Sequence, residues 1–222
     1  MSTGYLYYCA SMLSKMAELT GRDSDKARYA QLAERTAEAF NQTYWNEQTG
    51  GYAANNQAAN SFALFLGVVD ETRIPRVVKN LADDVEKHDY HLTTGNLCTK
   101  YLMEMLTRYG HAETAYRIAT QTTYPSWGYM LQNGATTLWE RWEYATGDEM
   151  NSHNHPMLGS VGGWFYKYLA GIRPLPDSDG FDRFGLAPCF VEGLNEVEAQ
   201  YDSFAGTIRS RWKREGDRIV WE

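Results

Sequence analysis

Apolar residues recur at helical spacing from residue 4 to about residue 170, and this pattern narrows the possible folds more than any other sequence feature. The first apolar face is formed by Tyr5, Tyr8, Cys9, Met12, Met16 and Leu19. Glycine or proline separates successive segments, at Gly21, Gly67, Pro75, Gly110 and Gly171. The chain is therefore predicted to be mainly α-helical, with helices that pair through short antiparallel connections.

Two helix starts are predicted from capping and spacing. Asp23 is expected to cap the second helix, and Leu97 to open the apolar face of the fifth. Paired helices of this kind occur in α-solenoids and in helical toroids. No motif repeats at a fixed period, and the two connections at 88–99 and 121–160 carry unusual polar and aromatic residues. Both features favour an enzyme built on a helical toroid.

The sequence pattern changes after residue 172. Pro174, Pro176 and Gly180 interrupt the helical spacing, and residues 197–212 and 217–222 then alternate polar with apolar positions. We predict two domains, a helical one at 1–172 and the beginning of an antiparallel β-domain at 173–222. Because the chain enters a helix at its start and stops within a strand pattern, we also expect it to be a piece of a longer protein.

Charge and composition exclude several classes of partner. The net charge is −7, with no basic stripe that could neutralise phosphates, so we expect no nucleic acid partner. No apolar run reaches the roughly 20 residues of a membrane span, so no membrane association is expected. The three cysteines form neither a disulfide framework nor a zinc set, and the His153–His155 pair lacks a spaced third ligand. We therefore expect no metal and no cofactor.

The stretch GATTLWERW at 134–142 contains the strongest candidate for chemistry. Glu140 lies between Trp139 and Arg141, where aromatic packing raises the pKa of a carboxyl group and a neighbouring cation lowers it. Such a balance suits a general base. The alternative is an Arg–Glu pair on a helix surface, and the residues alone do not separate the two. If the stretch is helical, Glu143 lies near the same face.

Two further segments alternate polar with aromatic residues more than a connector requires. In YPSWGYM, Trp127 follows a Pro-Ser turn, so we expect its ring to be held on a loop. In HDYHLTTG, Tyr90, His91, Thr93 and Thr94 precede Gly95 and a helix. Each segment could serve a binding site or could simply anchor its loop through hydrogen bonds.

Five blocks of sequence, taken in order, resemble bacterial α-L-rhamnosidases of glycoside hydrolase family 78. They are TGGYAANNQAANSFALFLGVV, HLTTG, TYPSWGYM, GATTLWERWE and SHNHPMLGSVGGWFYKYLAGI. The resemblance implies part of an (α/α)6 barrel followed by a C-terminal β-sandwich, and inverting hydrolysis of terminal α-L-rhamnose. It places the general base at Glu140 and a sugar-site histidine at His155. The sugar subsite would then be shaped by Trp127, Trp139, Trp142, His91 and Arg141.

The resemblance also implies what this chain lacks. The family's general acid belongs to an acidic motif well upstream of the base, whereas Asp83, Asp84 and Glu86 lie in an amphipathic helix pattern. We therefore expect a base without its acid, and a partner in the missing N-terminal part of the same enzyme. The chain alone should show little turnover and should form homo-oligomers through exposed barrel faces. The loop after HLTTG departs from the family pattern at Asn96, Cys98 and Thr99.

Two other functions fit the residues. A non-catalytic carbohydrate-binding or helical interaction module would use the aromatic side chains without needing Glu140. A different (α/α)6-barrel glycosidase or lyase would keep the barrel and change the substrate. The expected partner of the favoured enzyme is a rhamnose-containing glycoside or oligosaccharide.

Overall fold

The computed structural model describes residues 1–149, 152–176 and 178–222. This part of the chain divides into two compact units, Met1–Asp89 and Tyr90–Glu222. The division into domains at residue 172 stays a prediction. Within the described ranges, no helix is both long and apolar enough to cross a bilayer.

The first unit is helical. Helices α1 (Ser2–Leu19) and α2 (Asp23–Tyr44) form a hairpin, and α3 (Gln57–Leu66) and α4 (Ile74–Lys87) follow a short pairing of β1 (Trp45–Asn46) with β2 (Gly51–Tyr52). The buried core of this unit includes Phe40, Tyr52, Phe62, Val77, Leu81 and Val85. The predicted breaks are confirmed, because Gly67 ends α3 in the left-handed conformation and Pro75 lies in the first turn of α4.

One predicted cap in this unit is wrong. Arg22 is the residue that precedes α2, and Asp23 is its first helical residue. No side chain makes a capping hydrogen bond there. Asp23 instead places a carboxylate in the first turn, where the positive end of the helix dipole favours it.

The second unit begins with helices around a dense apolar centre. They are α5 (Thr99–Arg108), α6 (Ala112–Ala119), α7 (Trp127–Gln132) and α8 (Ser160–Trp164), and α8 continues as a π-helical turn at Phe165–Leu169. Leu102, Met105, Leu106, Ile118, Met130 and Leu158 fill the centre. Leu97 is 48% exposed and lies before α5, so its predicted place on the apolar face is wrong. Leu97 lies in a turn that begins at Gly95, so helix α5 begins only at Thr99.

Antiparallel strands complete this unit. Strand β3 (Ile172–Pro174) pairs with β4 (Phe184–Leu186), and β5 (Glu196–Ser203), β6 (Gly206–Glu215) and β7 (Arg218–Trp221) form a meander. The predicted alternation is confirmed on β6, where Ile208, Ser210 and Trp212 are buried and their neighbours are exposed. The Trp212 indole N–H donates to the Leu169 carbonyl at 2.8 Å, which fastens the meander to the end of the last helix.

Candidate functional site

Glu140 lies on an irregular segment that runs beside the segment carrying His155. The Glu140 backbone N–H donates to the Ser152 carbonyl at 3.0 Å, and the His155 N–H donates to the Leu138 carbonyl at 2.9 Å. These main-chain hydrogen bonds hold the two segments side by side, and the Glu140 and His155 side chains are both half-buried. The stretch is not helical, so the condition under which Glu143 would share a helical face with Glu140 is not met.

Arg141 forms an ion pair with Glu143. Its Nη2 lies 2.8 Å from Glu143 Oε1, and both side chains are nearly half exposed. A hydrogen bond from its own backbone N–H lowers the pKa of Glu143 below the usual range, and the Arg141 guanidinium adds to that effect. This Arg–Glu pair lies in a loop and joins Arg141 to Glu143.

Trp139, the residue before Glu140, is the buried member of an aromatic cluster. Its ring is 3% exposed and packs against Tyr144 at 5.4 Å and His153 at 5.1 Å between ring centroids. Tyr144 and His153 are themselves parallel, 6.2 Å apart. The aromatic cluster thus joins the segment that carries Glu140 to the segment that carries His155.

Trp127 is the first residue of helix α7, so the prediction that its ring sits on a loop is wrong. The Ser126 hydroxyl caps the helix by accepting the Tyr129 N–H at 2.9 Å. The Pro-Ser pair predicts a turn, but serine before an apolar run is also a strong helix start. The Trp127 ring is only 7% exposed, and its indole N–H donates to the Leu158 carbonyl at 2.9 Å.

Trp142 is buried to the same extent as Trp127 and lies against it. The two ring centroids are 5.2 Å apart and the planes are nearly perpendicular. The Trp142 indole N–H donates to the Thr94 carbonyl at 2.7 Å, which joins the 134–149 segment to the loop that carries His91. These contacts anchor the loops, which is one of the two roles that the sequence left open for such segments. A direct contact of either ring with a sugar stays a prediction.

The His91 loop is tied to its surroundings by polar groups. His91 Nε2 lies 2.7 Å from the Thr123 hydroxyl, which joins the two long connections of this unit. The Thr94 and Thr99 hydroxyls form a buried hydrogen bond at 2.9 Å. Thr99 and the buried Cys98, two of the departures from the family pattern, therefore serve the local packing of this loop.

His155 precedes a 3-10 turn at Pro156–Gly159 and caps it. Its Nδ1 accepts the Met157 backbone N–H at 3.3 Å. An imidazole that accepts a hydrogen bond at Nδ1 carries its proton at Nε2 when neutral. The local backbone therefore selects the tautomer in which Nε2 is a donor.

The sequence missed the partners that bring these residues together. Ser152, Leu158 and Thr94 act through backbone carbonyls, which leave no side-chain signal. A cleft of about 560 Å³ lies beside the region, lined by Trp127, Leu138 and Phe165 among others, but neither Glu140 nor His155 lines it. Across residues 1–149, 152–176 and 178–222, no three His, Cys, Asp or Glu side chains are grouped as a metal site would require.

Comparison with known proteins relates the chain to one group of enzymes. Residues 1–169 match the bacterial alpha-L-rhamnosidase 6 hairpin glycosidase domain, and residues 171–222 match the bacterial alpha-L-rhamnosidase C-terminal domain. An alpha-L-rhamnosidase of Streptomyces avermitilis is 34% identical over 99% of the chain, and one of Formosa agariphila is 29% identical over all of it. The chain spans 22% and 24% of the length of these two relatives.

Solved structures give the same result. The alpha-L-rhamnosidase of Dictyoglumus thermophilum superimposes with a TM-score of 0.92 at 39% identity, covering 98% of this chain and 25% of that one. The Streptomyces avermitilis alpha-L-rhamnosidase, crystallised with L-rhamnose, gives 0.91 at 33% identity, covering 99% and 21%. The predicted fold class is confirmed, namely part of a six-hairpin helical barrel followed by an antiparallel β segment.

Proposed function

The chain belongs to the bacterial α-L-rhamnosidase family, and from this premise we propose that it forms part of a glycoside hydrolase that releases terminal α-L-rhamnose with inversion. The L-rhamnose complex of the Streptomyces avermitilis relative supports a rhamnose-containing glycoside as substrate. The observation that carries the proposal is the position of Glu140 and His155 on two segments joined by main-chain hydrogen bonds, with both side chains half-buried.

Glu140 acts as the general base. It takes one proton from a water molecule whose oxygen bonds to the anomeric carbon, while the bond from that carbon to the aglycone oxygen breaks. The departing oxygen receives its proton from a second carboxyl group, and inverting enzymes hold the two carboxyl groups roughly 6.5–9.5 Å apart. His155 donates from Nε2 to a sugar hydroxyl, because its Nδ1 is committed to Met157.

The general acid, in this proposal, lies outside these 222 residues. Two upstream carboxylates of α4 already have structural partners: Asp83 forms an ion pair with Lys79, and Asp84 accepts the Gln57 backbone N–H at 3.1 Å. We therefore expect the chain alone to show little or no turnover of a rhamnoside. The rest of the enzyme is then its main partner.

The burial of the tryptophans favours an enzyme over a binding module. A sugar-binding module presents the flat faces of aromatic rings to its ligand. Trp127 and Trp142 are each 7% exposed and Trp139 is 3% exposed, so little of their surface is open in this chain. Their burial is expected of rings that support a site rather than form its surface.

The test is a pair of amide substitutions in the complete enzyme that carries this chain. Glu140→Gln keeps the side-chain shape but cannot accept the proton from water, so kcat on an aryl α-L-rhamnoside should fall about 10²- to 10⁴-fold. Glu34→Gln, at an exposed position of α2, is the control for the same chemical change and should stay within about threefold of the wild-type kcat, a range that corresponds to less than ~1 kcal/mol. A Glu140→Gln enzyme with near-normal kcat would contradict the assignment of the base.

A further inference from the structure

Two buried indole hydrogen bonds join parts of the chain that are distant in sequence. Trp142 donates to the Thr94 carbonyl across 48 positions, and Trp127 donates to the Leu158 carbonyl across 31. Both bonds are buried. A donor buried without its acceptor is costly, so each indole strongly favours the one loop position that offers the carbonyl.

Each accepting carbonyl has the same relation to a histidine of the candidate site. Thr94 follows His91 by three residues, and Leu158 follows His155 by three. Neither histidine contacts an indole through these bonds. The tryptophans instead fix the backbone a short distance after each histidine, which limits where its ring can lie.

These contacts link a set of residues in a closed ring, called the circuit below, and the proposed base belongs to it. Trp142 lies two residues after Glu140, and its ring meets the Trp127 ring edge to face at 5.2 Å. On the other side, the His155 N–H donates to the carbonyl of Leu138, two residues before Glu140. The circuit runs through Leu138, Glu140, Trp142, Trp127, Leu158 and His155.

We propose that Trp127 and Trp142 are positioning residues that fix the relative positions of Glu140, His91 and His155. In this proposal the two tryptophans act through those three side chains rather than by stacking on the sugar. This inference rests on the proposed function, because the relative positions of Glu140 and the histidines matter only if these side chains serve a reaction. A displacement of about 1 Å in a reacting group costs up to about 100-fold in rate, so the loss of either bond should lower turnover.

The test compares phenylalanine substitutions, which keep an aromatic ring and remove the N–H. In the complete enzyme, Trp142→Phe and Trp127→Phe should each lower kcat about 10- to 100-fold, with KM within about threefold. Trp212→Phe is the matched control, because Trp212 is fully buried and its indole also donates to a backbone carbonyl, that of Leu169 at 2.8 Å. It should lose comparable stability but keep its kcat within about twofold, equivalent to under ~0.5 kcal/mol.

A double variant separates positioning from general damage. If Trp142 acts through Glu140 as well as through His91, adding Trp142→Phe to Glu140→Gln should lower kcat by a smaller factor than Trp142→Phe does in the wild-type enzyme, since effects within one functional unit are not additive. An equal factor in both backgrounds would contradict action through Glu140. Equal losses of kcat in Trp142→Phe and Trp212→Phe, or unchanged kcat in Trp142→Phe, would overturn the inference. Failure of the base assignment is seen separately, in the Glu140→Gln single variant.

Discussion

The compact unit Met1–Asp89 and the loops between residues 90 and 159 are held in place by different forces. In the first, helices with short connections bury residues such as Phe62 and Leu81 against one another. In the loops, buried indoles and backbone amides donate to carbonyls far along the chain. The helical unit is therefore expected to govern stability, and the loops to govern the geometry of the site.

The largest effect on stability should come from the helical core. Leu81 is fully buried on α4, and Leu81→Ala should lower the free energy of unfolding by about 2–5 kcal/mol through lost burial and the cavity left behind. Urea unfolding of the 222-residue chain measures this change. A loss below about 1 kcal/mol would mean that this unit is not held together mainly by its packing.

A close helix approach in the same unit should give the next largest effect. A Cβ added at Gly4 would overlap the Phe62 ring, so α1 and α3 meet at a position where only hydrogen fits. Gly4→Ala should cost about 1–3 kcal/mol of unfolding free energy despite the better helix propensity of alanine. Gly67, with open space around it, is unsuitable as a control because its φ is +69°. Lys15→Ala, at an exposed position of α1, provides the baseline instead.

Two equivalent caps test the comparison between the regions directly. The Asn56 side chain caps α3 by accepting the Ala59 N–H, and the Ser126 hydroxyl caps α7 by accepting the Tyr129 N–H. Asn56→Ala and Ser126→Ala should each cost about 1 kcal/mol in urea unfolding. Only Ser126→Ala should also lower kcat in the complete enzyme, because α7 begins with Trp127. Equal kcat in the two variants would remove the distinction between the regions.

The smallest effect concerns Glu143 and acid. Its folded-state pKa lies below the usual 4.5, so its charged form favours folding above that pH, and the contribution is lost as pH falls through the lowered value. The side chain is 45% exposed, so solvent screens the effect. Below pH 4.5, the wild-type chain should lose slightly more stability than Glu143→Gln, measured by thermal unfolding across pH. A steeper acid loss in the variant would contradict the pairing with Arg141.

Local signals explain what the sequence predicted well. Gly67 and Pro75 mark helix ends by their backbone preferences, and the alternation around Trp212 follows the pleat of a strand. These signals lie within a few residues of the feature they predict. The same holds for the motif blocks that indicated the family, whereas the role of Glu140 stays a prediction.

The errors and omissions come from interactions at long range. The sequence predicts a loop for Trp127, but the residue is buried at the start of α7 and its indole N–H donates to the distant Leu158 carbonyl. The carbonyls of Thr94 and Ser152 could not be recognised as partners, because every residue carries the same backbone group. Only the structure therefore shows that the segments of Glu140 and His155 lie side by side, although the sequence singles out each residue as a candidate.

The central claim is that Glu140 activates a water molecule rather than forming a bond to the sugar. The most direct test is proton NMR of the complete enzyme's reaction with an aryl α-L-rhamnoside, recorded before the released sugar mutarotates. Direct attack by water predicts that β-L-rhamnose appears first and the α anomer later. First appearance of α-L-rhamnose would mean a covalent intermediate and would contradict the account.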